Sequence, residues 1–300
     1  MTPRRLVTFA IVLVSILGLA MRSVAQPPLP IPKAPPPTSE APPSYPPAEL
    51  DRIVSPIALY PDPLLAQVLA AATFPADIPD AARWADDHHY LTGSRLTDAI
   101  AADHLPWDPS VQALLPFPSV LEMMASNMPW TEELGNAYLA QGDAVMDAVQ
   151  RMRQKAWRYG YLRPSAAVIV RDGPYVEILP VSPAFIVVPY YDPAIVFAPP
   201  RPGLAIAGAV YWGFGIRLGI WFGPWGWGAT RFSWPAHTVI INNAPWGRTW
   251  TNRRVYVHPY AIPRYAPPRR PERHAARPRT PAERQRERPR PRPRGGREMF

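Results

Sequence analysis

The sequence contains no cysteine, and only two of its 32 basic residues, Lys33 and Lys155, are lysines. The first absence excludes disulfides, cysteine-based zinc sites, a thiol nucleophile and an N-terminal lipidated cysteine. Any folded part is therefore held by packing alone. The short catalytic motifs are missing too: there is no Gly-x-Ser-x-Gly, no His-Glu-x-x-His and no phosphate loop. Asp86-Asp87-His88-His89 is the one acid/histidine cluster. Adjacent residues on a helix point in different directions, so it lacks the spacing of a metal-ligand set and reads as a polar helix end, where histidine suits the dipole. His104, His237, His258 and His274 have no patterned partners, and Glu132-Glu133 sits where a helix N-terminus already favours acid. Neither a catalytic residue nor a cofactor or metal is expected.

In their place the 300 residues carry 44 prolines and a net charge of +9, almost all of the positive charge being arginine. The N-terminus opens with Arg4 and Arg5, an apolar run over residues 6–20, and Ser23-Val24-Ala25. That order is the pattern of an export leader cleaved after Ala25, and the run is short for a membrane span. Residues 26–47 are rich in proline with few large apolar side chains, which predicts an extended spacer.

Residues 48–163 change character. Alanine and leucine dominate, glycine is sparse, and most of the acidic residues lie here. Apolar positions at helical spacing predict helices around Leu64–Ala72, Ile78–Ala85, Leu96–Ile100 and Val120–Met128, a helix opened by Thr131, and a last one with Asp143 as N-cap and Gly160 as stop. From 164 to 199 the period becomes two. Strands are expected over 166–170, 176–179, 185–188 and 195–197, with Asp172-Gly173 turning the first pair and Pro180, Pro183, Pro189 and Pro193 keeping them short. An aromatic-Asp-Pro pattern recurs at Tyr60-Pro61-Asp62-Pro63, Trp107-Asp108-Pro109 and Tyr191-Asp192-Pro193. Asp at the cap and Pro in the first turn explain the first two as helix starts; the alternative is a set of carboxylates lining a groove. The fold class is thus α+β: a domain of short helices followed by a small β module.

Within residues 48–163 the chain resembles a family of exported bacterial proteins catalogued as domain of unknown function 3300. The likeness is carried by Ile53-Val54-Ser55-Pro56-Ile57-Ala58-Leu59-Tyr60-Pro61-Asp62-Pro63, Ala81-Ala82-Arg83-Trp84, Pro106-Trp107-Asp108-Pro109, Trp130-Thr131-Glu132-Glu133-Leu134-Gly135 and Gln141-Gly142-Asp143-Ala144-Val145. Val187-Val188-Pro189-Tyr190-Tyr191-Asp192-Pro193 extends it into the β module. The resemblance implies export to the Gram-negative envelope and a shared helical domain, and it transfers no catalytic residue.

Residues 200–262 hold a Gly/aromatic segment and short strands, expected at 238–243 and 254–257. Residues 204–228 carry too many glycines for a stable soluble helix. Either the segment lies against a membrane, with its tryptophans at the interface, or it is a glycine-rich helix or hairpin packed on the β module or on another copy. Membrane contact or self-association through Trp212, Phe214, Trp221, Phe222, Trp225 and Trp227 is the favoured reading. The tail, 263–300, is Arg, Pro and Glu, which predicts disorder. Its candidate polyanion-binding residues are Arg269, Arg270, Arg273, Arg277, Arg279, Arg284, Arg286, Arg288, Arg290, Arg292 and Arg294. Export makes anionic envelope polymers or lipid headgroups the expected partners and removes nucleic acid; a merely solvated tail, or one docked on the acidic helical domain, are the alternatives. Taken together, the sequence predicts a non-catalytic exported envelope protein in the periplasm, acting by scaffolding or interaction at a membrane face. The competing expectation is a wall-modifying hydrolase with a site assembled from scattered residues.

Overall fold

Proline punctuates the helices. In a computed structural model describing residues 41–200, 208–256, 258, 260 and 262, α1 (Pro47–Val54), α2 (Asp62–Ala72), α3 (Ile78–Asp87), α5 (Pro109–Gln112), α6 (Pro118–Ser126) and α7 (Met128–Arg158) each hold a proline at the first or second position. An amide donor is not needed there and the preset φ suits the helix. Among the described α-helices only α4 (Ser94–Ala102) begins without one, after Gly93 at φ +58°. The expected leader 1–25, the spacer up to residue 40, residues 201–207 and the tail from 263 with its eleven candidate arginines lie outside the described residues. The described residues from Pro42 onward cluster as one unit, and their class is α+β as expected. No helix among the described residues is long and apolar enough to cross a membrane.

The two last expected helices are both present, joined end to end across a kink. α7 runs for 31 residues and is broken at Gln141, whose φ is −140° and ψ 47°. The break falls two residues before Asp143, which is therefore not the cap. Gln141 instead clamps the entering chain: its Oε1 accepts the Tyr45 amide at 2.6 Å and its Nε2 donates to the Tyr45 carbonyl at 3.3 Å. Gly160, at φ +82°, terminates the helix as expected. Closer to the start of α7, Gly135 lies so near α2 that a methyl group there would overlap the Ala72 carbonyl.

The β part is made of short antiparallel pairs. β1 (Val168–Arg171) pairs with β2 (Glu177–Pro180), in register Val168↔Pro180 to Arg171↔Glu177. β3 (Phe185–Ile186) and β4 (Pro189–Tyr191) follow. The strand expected at 195–197 is instead the helix α8 (Pro193–Val196), because Asp192 caps it by accepting the Ala194 amide at 2.8 Å. The glycine-rich segment then supplies β5 (Val210–Trp212), paired with β4, and β6 (Ile216–Arg217), paired with β3. Finally β7 (Arg231–Ser233), β8 (Thr238–Ile241) and β9 (Ala244–Pro245) form a meander. Its second turn, Asn242-Asn243, has both φ values positive, the geometry of a two-residue hairpin. Residues 251–255 turn rather than extend, so no strand forms at Arg254.

Helices and strands share a core. Leu65, Val68 and Leu121 of the helices are fully buried in the same cluster as Phe222, Trp225, Trp234 and Ile241. At its polar centre Arg153 of α7, wholly buried, forms an ion pair with Asp62 of α2 at 2.6 Å. The same guanidinium donates to the carbonyls of Ala58, Tyr60 and Val176 at 2.8–2.9 Å. Asp62 also accepts from Ile178 N and Trp234 Nε1. The sequence pattern assigned Asp62 to capping. In the fold Pro61 occupies the cap position without a side-chain bond, and the carboxylate turns inward to Arg153. Asp108 does cap α5, accepting the Ser110 amide at 2.9 Å.

Candidate functional site

Pairing of β6 with β3 places Arg217 beside Phe185 and lays Gly215 and Ile216 along one wall of a groove of about 590 Å³. The facing wall comes from the turn after α3, the start of α4 and the connection between α5 and α6. Leu96, Leu115 and Phe222 give it a buried apolar floor, while His88, His89 and Arg217 supply polar edges. His88 stacks on Trp84 with ring centroids 4.0 Å apart, and its Nδ1 lies 2.8 Å from the Trp84 carbonyl. A carbonyl only accepts, so Nδ1 carries the hydrogen and Nε2 is the acceptor of the neutral ring. The expected polar helix end at Asp86–His89 is therefore present. It also forms one edge of a cleft, which spacing within the helix did not reveal.

Apolar side chains project beside this groove. Phe214, adjoining Gly215, is 91% exposed; Ile220 is 82% and Trp221 46% exposed. The Trp221 ring lies against Gly93 and Gly219, 3.5–3.6 Å from where a Cβ would stand at either, and both glycines have positive φ. The six aromatics singled out from the sequence thus divide. Phe222, Trp225 and Trp227 belong to the core and offer no outward face: Trp225 Nε1 donates to Gln112 Oε1 at 3.3 Å, and Trp227 Nε1 to the Ala113 carbonyl at 3.0 Å. Trp212 is half-buried in β5, and Phe214 and Trp221 remain at the surface. The α5 segment satisfies the indole N–H groups of Trp225 and Trp227, which lets both rings be buried without an unpaired donor.

A second cluster lies away from the groove and is closed. His258 Nε2 is 2.6 Å from Asp108 Oδ1, with both side chains buried. Asp108 Oδ1 also accepts from Ser110 Oγ at 2.6 Å, and Asp77 Oδ2 accepts the Asp108 amide at 3.3 Å. Trp246, Tyr256, Tyr260 and Phe74 surround the imidazole, with centroids 4.9–6.4 Å away. Burial, and then the charge of neighbouring Asp108, holds the Asp77 carboxyl above its ordinary range despite the amide it accepts. Burial likewise pushes up the phenols of Tyr256 and Tyr260. The pair joins residues 150 apart, and no sequence pattern tied His258 to the Trp107-Asp108-Pro109 motif. Its role in the fold is to fasten the segment after β9 onto the cap of α5. Among the described residues no three His, Asp or Glu side chains gather as a metal-ligand set.

Residues 46–261 match the family described as protein of unknown function (DUF3300). The chain belongs to the DUF3300 family. The matched range runs past the helices to the segment after β9, so both walls of the groove and the Asp108–His258 fastening fall inside the DUF3300 region. A relative is the uncharacterized protein YacH of Escherichia coli (strain K12), 31% identical across 58% of this chain and 35% of its own length. The chain therefore spans about a third of that relative's length. No solved structure matches the chain.

Proposed function

We propose that this DUF3300 protein is a non-catalytic, exported cell-envelope protein whose folded unit attaches to the periplasmic face of a membrane. On this reading the arginine tail engages anionic envelope polymers or lipid headgroups. The supporting observation is the group formed by Phe214, Ile220 and Trp221, three exposed apolar side chains within eight residues beside the groove that carries Arg217. Isolated surface apolar residues are ordinary, but a contiguous set marks an interaction surface. Tryptophan with protruding aliphatic and aromatic tips suits the headgroup–acyl boundary, and adjacent arginine suits anionic lipid. The leader supports the compartment and the basic tail supports the sign of the partner.

The test is fractionation of cells producing the native chain and a variant with Phe214→Ser, Ile220→Ser and Trp221→Ser. The native protein is expected in the envelope with its leader removed, sedimenting with membranes. The variant is expected to stay folded and move to the soluble periplasmic fraction. Recovery of the native chain from cytosol with the leader intact, or as a wholly soluble monomer, overturns the proposal.

A further inference from the structure

We infer that the groove between β6 and the α3–α4 connection binds one acyl chain of an anionic phospholipid, with Arg217 holding the phosphate. The inference rests on the membrane reading of the same face and adds a defined ligand to it. Three observations converge. The lining is mainly apolar, with half-buried Leu91, Pro118 and Ile216 presented above the buried Leu96, Leu115 and Phe222. The volume of about 590 Å³ falls in the usual range for small-ligand sites, about 300–1,000 Å³. Arg217 lines the groove, and its guanidinium lies over the Phe185 ring at 5.0 Å with no ion-pair partner among the described residues.

Charge decides between occupants. An uncompensated arginine at the opening of an apolar cleft is the arrangement for an amphiphile with an anionic head. Asp86 and Asp87, exposed at the end of α3, do not line the groove, whereas Arg217 of β6 does. The flanking Phe214, Ile220 and Trp221 would bring the mouth to the acyl boundary, where a chain enters without crossing water.

The full mature chain is titrated with octyl, decyl and dodecyl phosphate below their micellar concentrations, with the alkyl maltosides of equal length as the uncharged series. Affinity is expected to rise about fourfold per methylene, the equivalent of burying one CH₂, and to level off once the cleft is full. Arg217→Gln is expected to weaken the phosphates about tenfold, the loss of a charge-assisted contact at an exposed edge, and to leave the maltosides unchanged. Thr92→Trp, on the exposed loop, and Gly215→Leu, where a Cβ meets only ordinary contact with Phe185, are each expected to block both series with the melting temperature retained. Absence of chain-length dependence, equal affinity for phosphate and maltoside, or binding undiminished in both blocking variants overturns the inference. A concentration-dependent dimer that Thr92→Trp abolishes, without alkyl phosphate binding, assigns the groove to a second copy and also overturns it. Vesicles of phosphatidylglycerol separate the two claims. Vesicle binding without alkyl phosphate binding sinks the groove reading alone, whereas alkyl phosphate binding without vesicle binding sinks the membrane reading alone.

Discussion

Replacing Arg153 by methionine removes the centre of the polar hub and leaves Asp62 behind. The Asp62 carboxyl would then sit at 2% exposure with a charge and no cation. Losing one partner of a buried pair costs about 3–5 kcal/mol. The Ala58, Tyr60 and Val176 carbonyls lose their donor as well, each worth about 1–3 kcal/mol where water does not replace it. These terms overlap, so the expected loss is about 4 kcal/mol or more, a large part of the roughly 5–15 kcal/mol that holds a typical domain together. Urea unfolding followed by tryptophan fluorescence measures it, with a local reporter in Trp234, whose ring lies 5.1 Å from the guanidinium and whose Nε1 donates to Asp62. The double variant Asp62→Leu with Arg153→Met removes the stranded charge and is expected to be more stable than Arg153→Met alone. It remains below the native chain, because the three carbonyls are still without a donor and the Ile178 amide and Trp234 indole have lost their acceptor. A loss under about 1 kcal/mol for Arg153→Met, or a double variant less stable than the single, would refute the argument that charge burial governs this site.

Two further outcomes follow from close packing and from burial. Gly135→Ala is expected to destabilise by about 1–3 kcal/mol, the range for overpacking, since the α2 backbone at Ala72 must retreat; a melting temperature equal to that of the native chain would show that the helices are not locked there. Asp77 has a folded pKa above its unfolded value of 3.8. Its contribution is therefore most favourable below that value and declines as pH rises through the folded pKa. Asp77→Asn keeps an acceptor for the Asp108 amide and removes this penalty, so stability at neutral pH should be no lower than native, and the slope between mildly acidic and neutral pH should flatten. Urea melts across that interval check it, and an Asn variant less stable at neutral pH would contradict the sign.

Helices were legible where apolar spacing is local, as at Leu64–Ala72 and Ile78–Ala85, because an amphipathic face records its own burial. Prolines marked their starts for an equally local reason. Capping was legible at Asp108, missed at Asp192, where a strand was expected, and misread at Asp62, since the same Asp-Pro signal serves both a cap and an inward ion pair. Which one forms is set by Arg153, 91 residues away. The aromatic segment was the least legible part. Its glycines correctly spoke against a helix, but whether a tryptophan faces water or core depended on distant acceptors at Gln112 and Ala113.

That dependence bears on the candidate site. Burial of Leu218 before Ile220-Trp221, and of Phe222, Trp225 and Trp227 after it, fixes the segment on both sides, so the two side chains left outside are presented by an anchored base. Arg217 is held in turn by the β6–β3 pair, and Phe214 follows Gly213, whose amide donates to the Val188 carbonyl at 3.2 Å. The exposed set is therefore tied to the core by its neighbours. If it serves as a binding surface, preorganisation lowers the ordering entropy that a flexible glycine-rich loop would lose on contact. Loosening the base should then weaken membrane binding without touching the surface. Trp227→Phe keeps the ring contact with Phe117, whose centroid is 5.1 Å away, and deletes the donor to Ala113. Hydrogen exchange in residues 208–228 should quicken in this variant while vesicle affinity falls. Faster exchange with unchanged affinity would separate the surface from its support and refute the coupling.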